Sequence, residues 1–363
     1  MKMKLLFNQL ILVLLLPAFI YAGEANPKGK YTKEKTIKKE FSVNANAGLK
    51  VDNSYGNLDI VTWNENRTVI EVYIETNGDD EELVQKKLDE ITVEFSANAS
   101  LVSAKTIFGD KEKSWSFWGK KGNNVSMKVN YTIKMPVTNS VDLHNDYGSI
   151  NLNKLEGNAR IHCDYGKLTV GQLMADNNYL NFDYTTKSTI DYMKSGKIDA
   201  DYSGFTLEKT EKLELNADYT QSEIEEVDDI NYNSDYGKVI VGKARKVIAN
   251  GDYVTHRIGT VSESLNLNSD YGSVAVDRLT SSVKDVTIKS QYTSVKLGYD
   301  SDLSFNFYAR VSYASVNGTD ALSLTNSDKS GSEKTYEGYH GSKGSGATIN
   351  IRSSYGGVTL KKM

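Results

Sequence analysis

The chain has 363 residues and a formal net charge of −4, which is too mild for nucleic acid to be a main partner. Its single cysteine, Cys163, excludes an intramolecular disulfide framework, so stability must come from burial and backbone pairing. Three prolines and 23 tyrosines favour long, uninterrupted strands.

In chain order, residues 1–22 come first. Lys2 and Lys4 precede an apolar run from Leu5 to Ile20 that closes on the small residue Ala22, the pattern of a secretory signal peptide. The run contains Asn8, Gln9 and Pro17 and is short for a membrane span. Its removal would take away two lysines and move the net charge from −4 to −6. The mature chain is expected to be exported, periplasmic or at the cell surface, with no transmembrane segment.

Residues 23–140 read as a β-rich cap. A β-like run from Val69 to Glu75 leads into 79–91, whose early acids and one-sided Val84, Leu88 and Ile91 predict the one substantial helix. Strands follow near 92–95, 101–107 and 125–135, and Pro136 marks the entry into a regular array. The cap would cover an otherwise open strand edge.

Residues 141–363 carry a repeat. Asp-Tyr-Gly or a near relative is centred on Tyr55, Tyr147, Tyr165, Tyr184, Tyr202, Tyr219, Tyr236, Tyr253, Tyr271, Tyr292, Tyr313 and Tyr355. From Tyr147 to Tyr313 the spacings are 18, 19, 18, 17, 17, 17, 18, 21 and 21. Around Tyr271, Leu265 and Leu267 precede the corner and Val274 and Val276 follow it, each alternating with polar or small residues. Each unit therefore reads as a period-two strand, a corner at the glycine and a second period-two strand. Counting by twos places the tyrosine ring inward, beside a small residue such as Cys163, Ala200 or Ser269. The glycine fits a positive φ or a close backbone approach.

Such a unit cannot bury its own apolar face, so copies must stack. An all-β parallel β-helix, or solenoid, with coils of about 18 residues is the expected fold; a sandwich would not need one residue at one place in every repeat. Residues 319–346, rich in Gly, Ser and Lys, read as a mobile loop. The strand at 358–360 is expected to expose an edge that pairs with another molecule.

On three features the chain resembles the bacterial β-strand-repeat family known as putative adhesins, a domain of unknown function. These are the strand and helix of 69–90, the strand Tyr131–Pro136 ending in Lys-Met-Pro, and units of the type Asn-Asp-Tyr-Gly-Ser-Ile-Asn-Leu at 145–152. The resemblance covers residues from about 40 onward and supplies no active site. It implies adhesion or envelope scaffolding, with envelope-stress sensing and signalling to a partner protein as the alternative.

Candidate sites follow from the repeat. Asp146, Asp164, Asp183, Asp201, Asp218, Asp235, Asp252 and Asp270 hold equivalent places in eight consecutive coils. At about 4.8 Å between strands, neighbouring carboxylates repel by roughly 1 kcal/mol even in water. Either each accepts a hydrogen bond from the corner backbone, which is favoured, or the ladder collects Ca²⁺, the one cofactor considered. Trp115, Phe117 and Trp118, flanked by lysines, form a candidate ligand-contact patch or a packed hairpin. His144 and His162 stand three before successive corner tyrosines and should stack, but two histidines without a further ligand do not make a metal site. No nucleophile elbow, His-Glu-Xaa-Xaa-His helix or phosphate-binding loop is present, so no catalytic residue is expected. A carbohydrate-active β-helix enzyme is the alternative class. The expected partner is a cell-surface glycan or an envelope protein.

Overall fold

The computed structural model describes residues 29–109, 125–344 and 346–363. It is an all-β structure with one helix, built as a stack of parallel coils. Alternation of apolar and polar residues sets each strand, and parallel pairing brings equivalent apolar residues into rows. Leu207, Ile224, Val241 and Ile258 form one such inward row, and Leu215, Tyr232, Ala249 and Leu267 another. In the central coils a single strand runs from one corner to the next, as in Gly204–Asn216 and Gln221–Asn233. Midway along these strands one buried residue (Thr210, Val227) stands between pairs of non-buried ones. There the chain bends round the far side of the coil.

Layer order departs from sequence order at both ends. The Tyr55 coil consists of Gly48–Ser54 and Leu58–Trp63. It pairs on one side with Ser140–Asp146 and Ile150–Leu155, and on the other with Leu101–Phe108 and Ser126–Pro136. It is a layer of the solenoid, although it lies within the stretch read as the cap. At the other end Thr348–Ser354 and Val358–Lys362 slot between the Tyr292 and Tyr313 coils. The edge expected at 358–360 is therefore paired on both sides at Val358 and Thr359, because the last coil in sequence is not the last in space.

Antiparallel strands close both ends of the stack. Ile91–Asn98 pairs with Leu101–Phe108, and Arg67–Gly78 with Ser126–Pro136. Tyr31–Ser42 then pairs along Arg67–Gly78. The helix Glu81–Glu90 starts at Asp80, whose carboxylate accepts from the Glu82 and Leu83 amides, and it buries Val84 and Leu88. At the far end Glu333–His340 pairs antiparallel with Phe305–Ser312 and with Ser323–Ser330. The segment 319–346, expected to be a mobile loop, is thus largely a β-hairpin. Its outer strand is exposed on both faces, so no apolar alternation was needed to build it.

The corners correct a further expectation. All twelve repeat tyrosines have a left-handed backbone, with φ between 50° and 61°. A left-handed residue breaks the two-residue alternation, so the ring points outward where counting by twos put it inward. Exposure of these residues runs from 41% at Tyr55 to 64% at Tyr313. The following glycine does not take the positive φ; it permits close approach. A Cβ at Gly166 would lie 1.9 Å from the Gly148 carbonyl oxygen. Where Thr185, Ser203, Thr220 or Thr293 replaces the glycine, a buried hydroxyl ties the corner instead: Thr220 Oγ1 donates to the Ala200 and Asp218 carbonyls and accepts from the Ser203 amide.

Candidate binding face

The outward tyrosines form one continuous row, in the order Tyr55, Tyr147, Tyr165, Tyr184, Tyr202, Tyr219, Tyr236, Tyr253, Tyr271, Tyr292, Tyr355, Tyr313. Successive ring centroids lie 4.7–5.2 Å apart with planes within 10° of parallel. Phe108 closes the Tyr55 end edge-on. Each interior ring therefore spends both faces on its neighbours and offers solvent its edge and hydroxyl. The row can hydrogen-bond a ligand along its length but cannot stack sugars on it. The Tyr165 and Tyr219 phenols are held above their ordinary range, first by desolvation and then by adjacent tyrosines and carboxylates.

The aspartates run alongside. Asp164 accepts from the amide of Asp183, Asp183 from Asp201, Asp201 from Asp218, Asp218 from Asp235 and Asp235 from Asp252, at 2.9–3.2 Å. In return the Tyr165 amide donates to the Asp183 carbonyl, and each later corner follows suit. The carboxylate is bound to the corner of the next coil, and that charge-assisted bond offsets repulsion along the row. Asp183 shows the remaining tension. Burial, and then its neighbours Asp164 and Asp201, push its carboxyl above the usual range, against the stabilising amide of Asp201. Asp146 and Asp270 occupy the same row in register.

Three residues before each tyrosine a second row passes from Asp52, His144 and His162 through Asn181, Asp199, Asn216, Asn233, Asn250 and Asn268 to Lys289, Arg352 and Arg310. The asparagine amides link side by side: Asn216 donates to Asp199, Asn233 to Asn216 and Asn250 to Asn233. Burial disfavours the Asp199 anion, but bonds from Asn216, Tyr179 and Lys197 outweigh it and hold that carboxyl below the usual range. Beside this row a shallow groove of about 480 Å³ is lined by Tyr179, Lys197, Glu214, Asn231 and Ile248. Sequence reasoning did not single out the asparagine row or the groove. The signal was available as the residue at a fixed offset from every tyrosine.

His144 and His162 stack with centroids 4.4 Å apart and planes within 1°. His256 is different: it is fully buried, meets the Tyr232 hydroxyl at 2.8 Å, and burial lowers it to about 4. His340 is buried too, its Nδ1 facing the Leu303 carbonyl at 2.6 Å. Trp115, Phe117 and Trp118 lie outside the described residues. Among the described residues no helix is long and apolar enough to cross a membrane.

No family model matches the sequence, and no curated protein matches it. Solved structures do. One, from Parabacteroides distasonis, is described as a "putative adhesin"; identity is 13%, 91% of this chain and 97% of that one are covered, and the TM-score is 0.30. A second, from Clostridium sporogenes, is described as a "putative cell adhesion protein", with 13% identity, coverage of 91% and 100%, and a TM-score of 0.18. A third, also from Parabacteroides distasonis, is described as a "putative lipid binding protein", with 6% identity, coverage of 90% and 96%, and a TM-score of 0.29. At these identities and scores none of them fixes what this chain does.

Proposed function

We propose that this chain is an exported, non-enzymatic cell-envelope protein of adhesin or scaffold type, and that its tyrosine–aspartate–asparagine face holds an extended, hydroxyl-rich polymer such as a cell-surface glycan. One observation carries the reading: twelve successive layers keep an outward tyrosine in a backbone conformation that costs a side-chain-bearing residue roughly 1–2 kcal/mol. Strain kept at every layer points to a use for the row it creates. The use must suit edges and hydroxyls rather than ring faces, and it must repeat at the strand spacing. An extended glycan lying along the row meets both demands. Carboxylates already bound to backbone amides suit accepting hydroxyl hydrogens more than cycling protons. Export is supported by the basic and apolar start of the sequence.

The test is co-sedimentation of the chain, begun at residue 23, with purified envelope polysaccharide. It is repeated with Tyr202, Tyr219 and Tyr236 all changed to Asn, a residue that tolerates the left-handed backbone. Loss of binding by tenfold or more, with the far-ultraviolet spectrum of the stack retained, supports the reading. Equal binding by the two proteins overturns it.

A further inference from the structure

We infer that His144, Asp146 and His162 form a Zn²⁺ site bridging two adjacent coils, with Asn181 fixing the orientation of one ligand. Sequence reasoning found the histidine pair but no third ligand. The fold supplies it. The ligand atoms of His144, Asp146 and His162 lie within 4.8 Å of one another, His144 Nε2 being 3.4 Å from Asp146 Oδ2.

The second observation is the hydrogen bonding of His162. Its Nδ1 stands 2.5 Å from Asn181 Oδ1, and its Nε2 stands 3.2 Å from Asp164 Oδ2. The Asn181 amide is oriented by its own Nδ2, which donates to the Asp199 carbonyl. Both ring nitrogens therefore face oxygen acceptors. Asn181 thus holds Nδ1 on one side of the ring, and Nε2 is left on the side of the carboxylates. An Nδ1–H donated to an amide oxygen, with Nε2 turned to a carboxylate, is the arrangement of metal-binding histidines, in which the outer partner sets tautomer and ring direction.

The donor set selects the ion. Two imidazoles and a carboxylate suit Zn²⁺ and its later first-row neighbours; Ca²⁺ takes oxygen ligands almost alone. The side chains of His144, Asp146, His162 and Asp164 are one-quarter to two-fifths exposed. An ion can reach them from solvent, and the parallel ring stack must open for both histidines to turn a nitrogen toward one ion. Asp164, beside His162, is placed to bind the ion directly or to support it.

The experiment is isothermal titration of ZnCl₂, and separately of CaCl₂, into the untagged chain begun at residue 23. One Zn²⁺ per chain is expected, with no matching Ca²⁺ event. His162→Ala and His144→Ala should each weaken Zn²⁺ binding by more than tenfold. Asn181→Leu, which touches no ion, should weaken it about tenfold. Melting temperatures without Zn²⁺ are measured for every variant, so lost binding is scored only for folded proteins. A folded His162→Ala variant that binds Zn²⁺ like the parent, or a parent that binds none, overturns the site. The glycan reading is independent of either result.

Discussion

Each corner tyrosine carries two opposed energies. A left-handed backbone costs roughly 1–2 kcal/mol for a residue with a Cβ, while each aromatic contact contributes about 0.5–1.5 kcal/mol. Tyr219, stacked between Tyr202 and Tyr236, separates the two. Tyr219→Ala loses both contacts and keeps the strain, so it should cost about 1–3 kcal/mol in denaturant unfolding. Tyr219→Gly loses the same contacts but relieves the strain, and should be milder by about 1 kcal/mol. Equal losses would mean that the strain is not there. His256 argues by pH. Its folded value of about 4 lies below the ordinary value of 6.5, so its stabilising neutral form is complete above pH 6.5 and is lost as pH falls toward 4. Across that interval stability should fall by about 3 kcal/mol from this group, and His256→Gln should remove that part of the slope. Asp183 works the other way: its raised carboxyl favours the folded state more as acid is added. The measurement is urea unfolding at several pH values for parent and variant.

At the scale of elements, the strands were legible because alternation is a local property. Ile161 and Cys163, then Leu168 and Val170, stand inward as their spacing indicated. The helix was equally legible, since acids near its start and Val84 and Leu88 on one side are also local signals. The corner was not, because one left-handed residue reverses the count and no neighbouring residue announces it. The candidate site was legible only as single rows. Equivalent positions gave Tyr and Asp; the Asn181 partner of His162 holds the same offset from its own tyrosine in the next coil, and the contact between the two is a matter of register. The hairpin at 319–346 was missed because an exposed edge strand has no apolar side to display. That hairpin has a consequence of its own. Glu333–His340 covers the outer edge of Phe305–Ser312, which otherwise presents unpaired amides and carbonyls. Replacing residues 323–339 by a short Gly/Ser linker, with His340 kept, should make the protein self-associate. Light scattering after size exclusion would show it, and a protein that stays monomeric would mean that the edge is protected in another way.

For the whole molecule, the solenoid was readable from an 18-residue rhythm, but the order of its layers was not. Periodicity says that coils stack without saying which coil meets which. The pairing of 48–63 with 101–108 and 126–136 on one side and 140–155 on the other, and the entry of 348–362 between two earlier coils, are facts of register alone. Ending the chain after residue 346 should therefore disturb more than its own layer. The Tyr313 coil loses its parallel neighbour on the stack side, so amides in Phe305–Ser312 should lose protection in hydrogen exchange although none of them is deleted. Retained protection would show that the layer is docked by other contacts.

The inserted coils also constrain how the molecule is made. A solenoid stacked in sequence order can zip up from one end as the chain emerges, each new coil landing on a finished one. Here zipping stops at the Tyr292 coil. The next segment to emerge, 305–317, is a lid with nothing beneath it until 348–362 arrives to wedge itself into place. The Tyr55 coil meets the same delay at the start, since both of its neighbours are synthesised after it. Both layers must therefore wait with bare strand edges in the newborn chain, open to wrong pairing before the finished face exists.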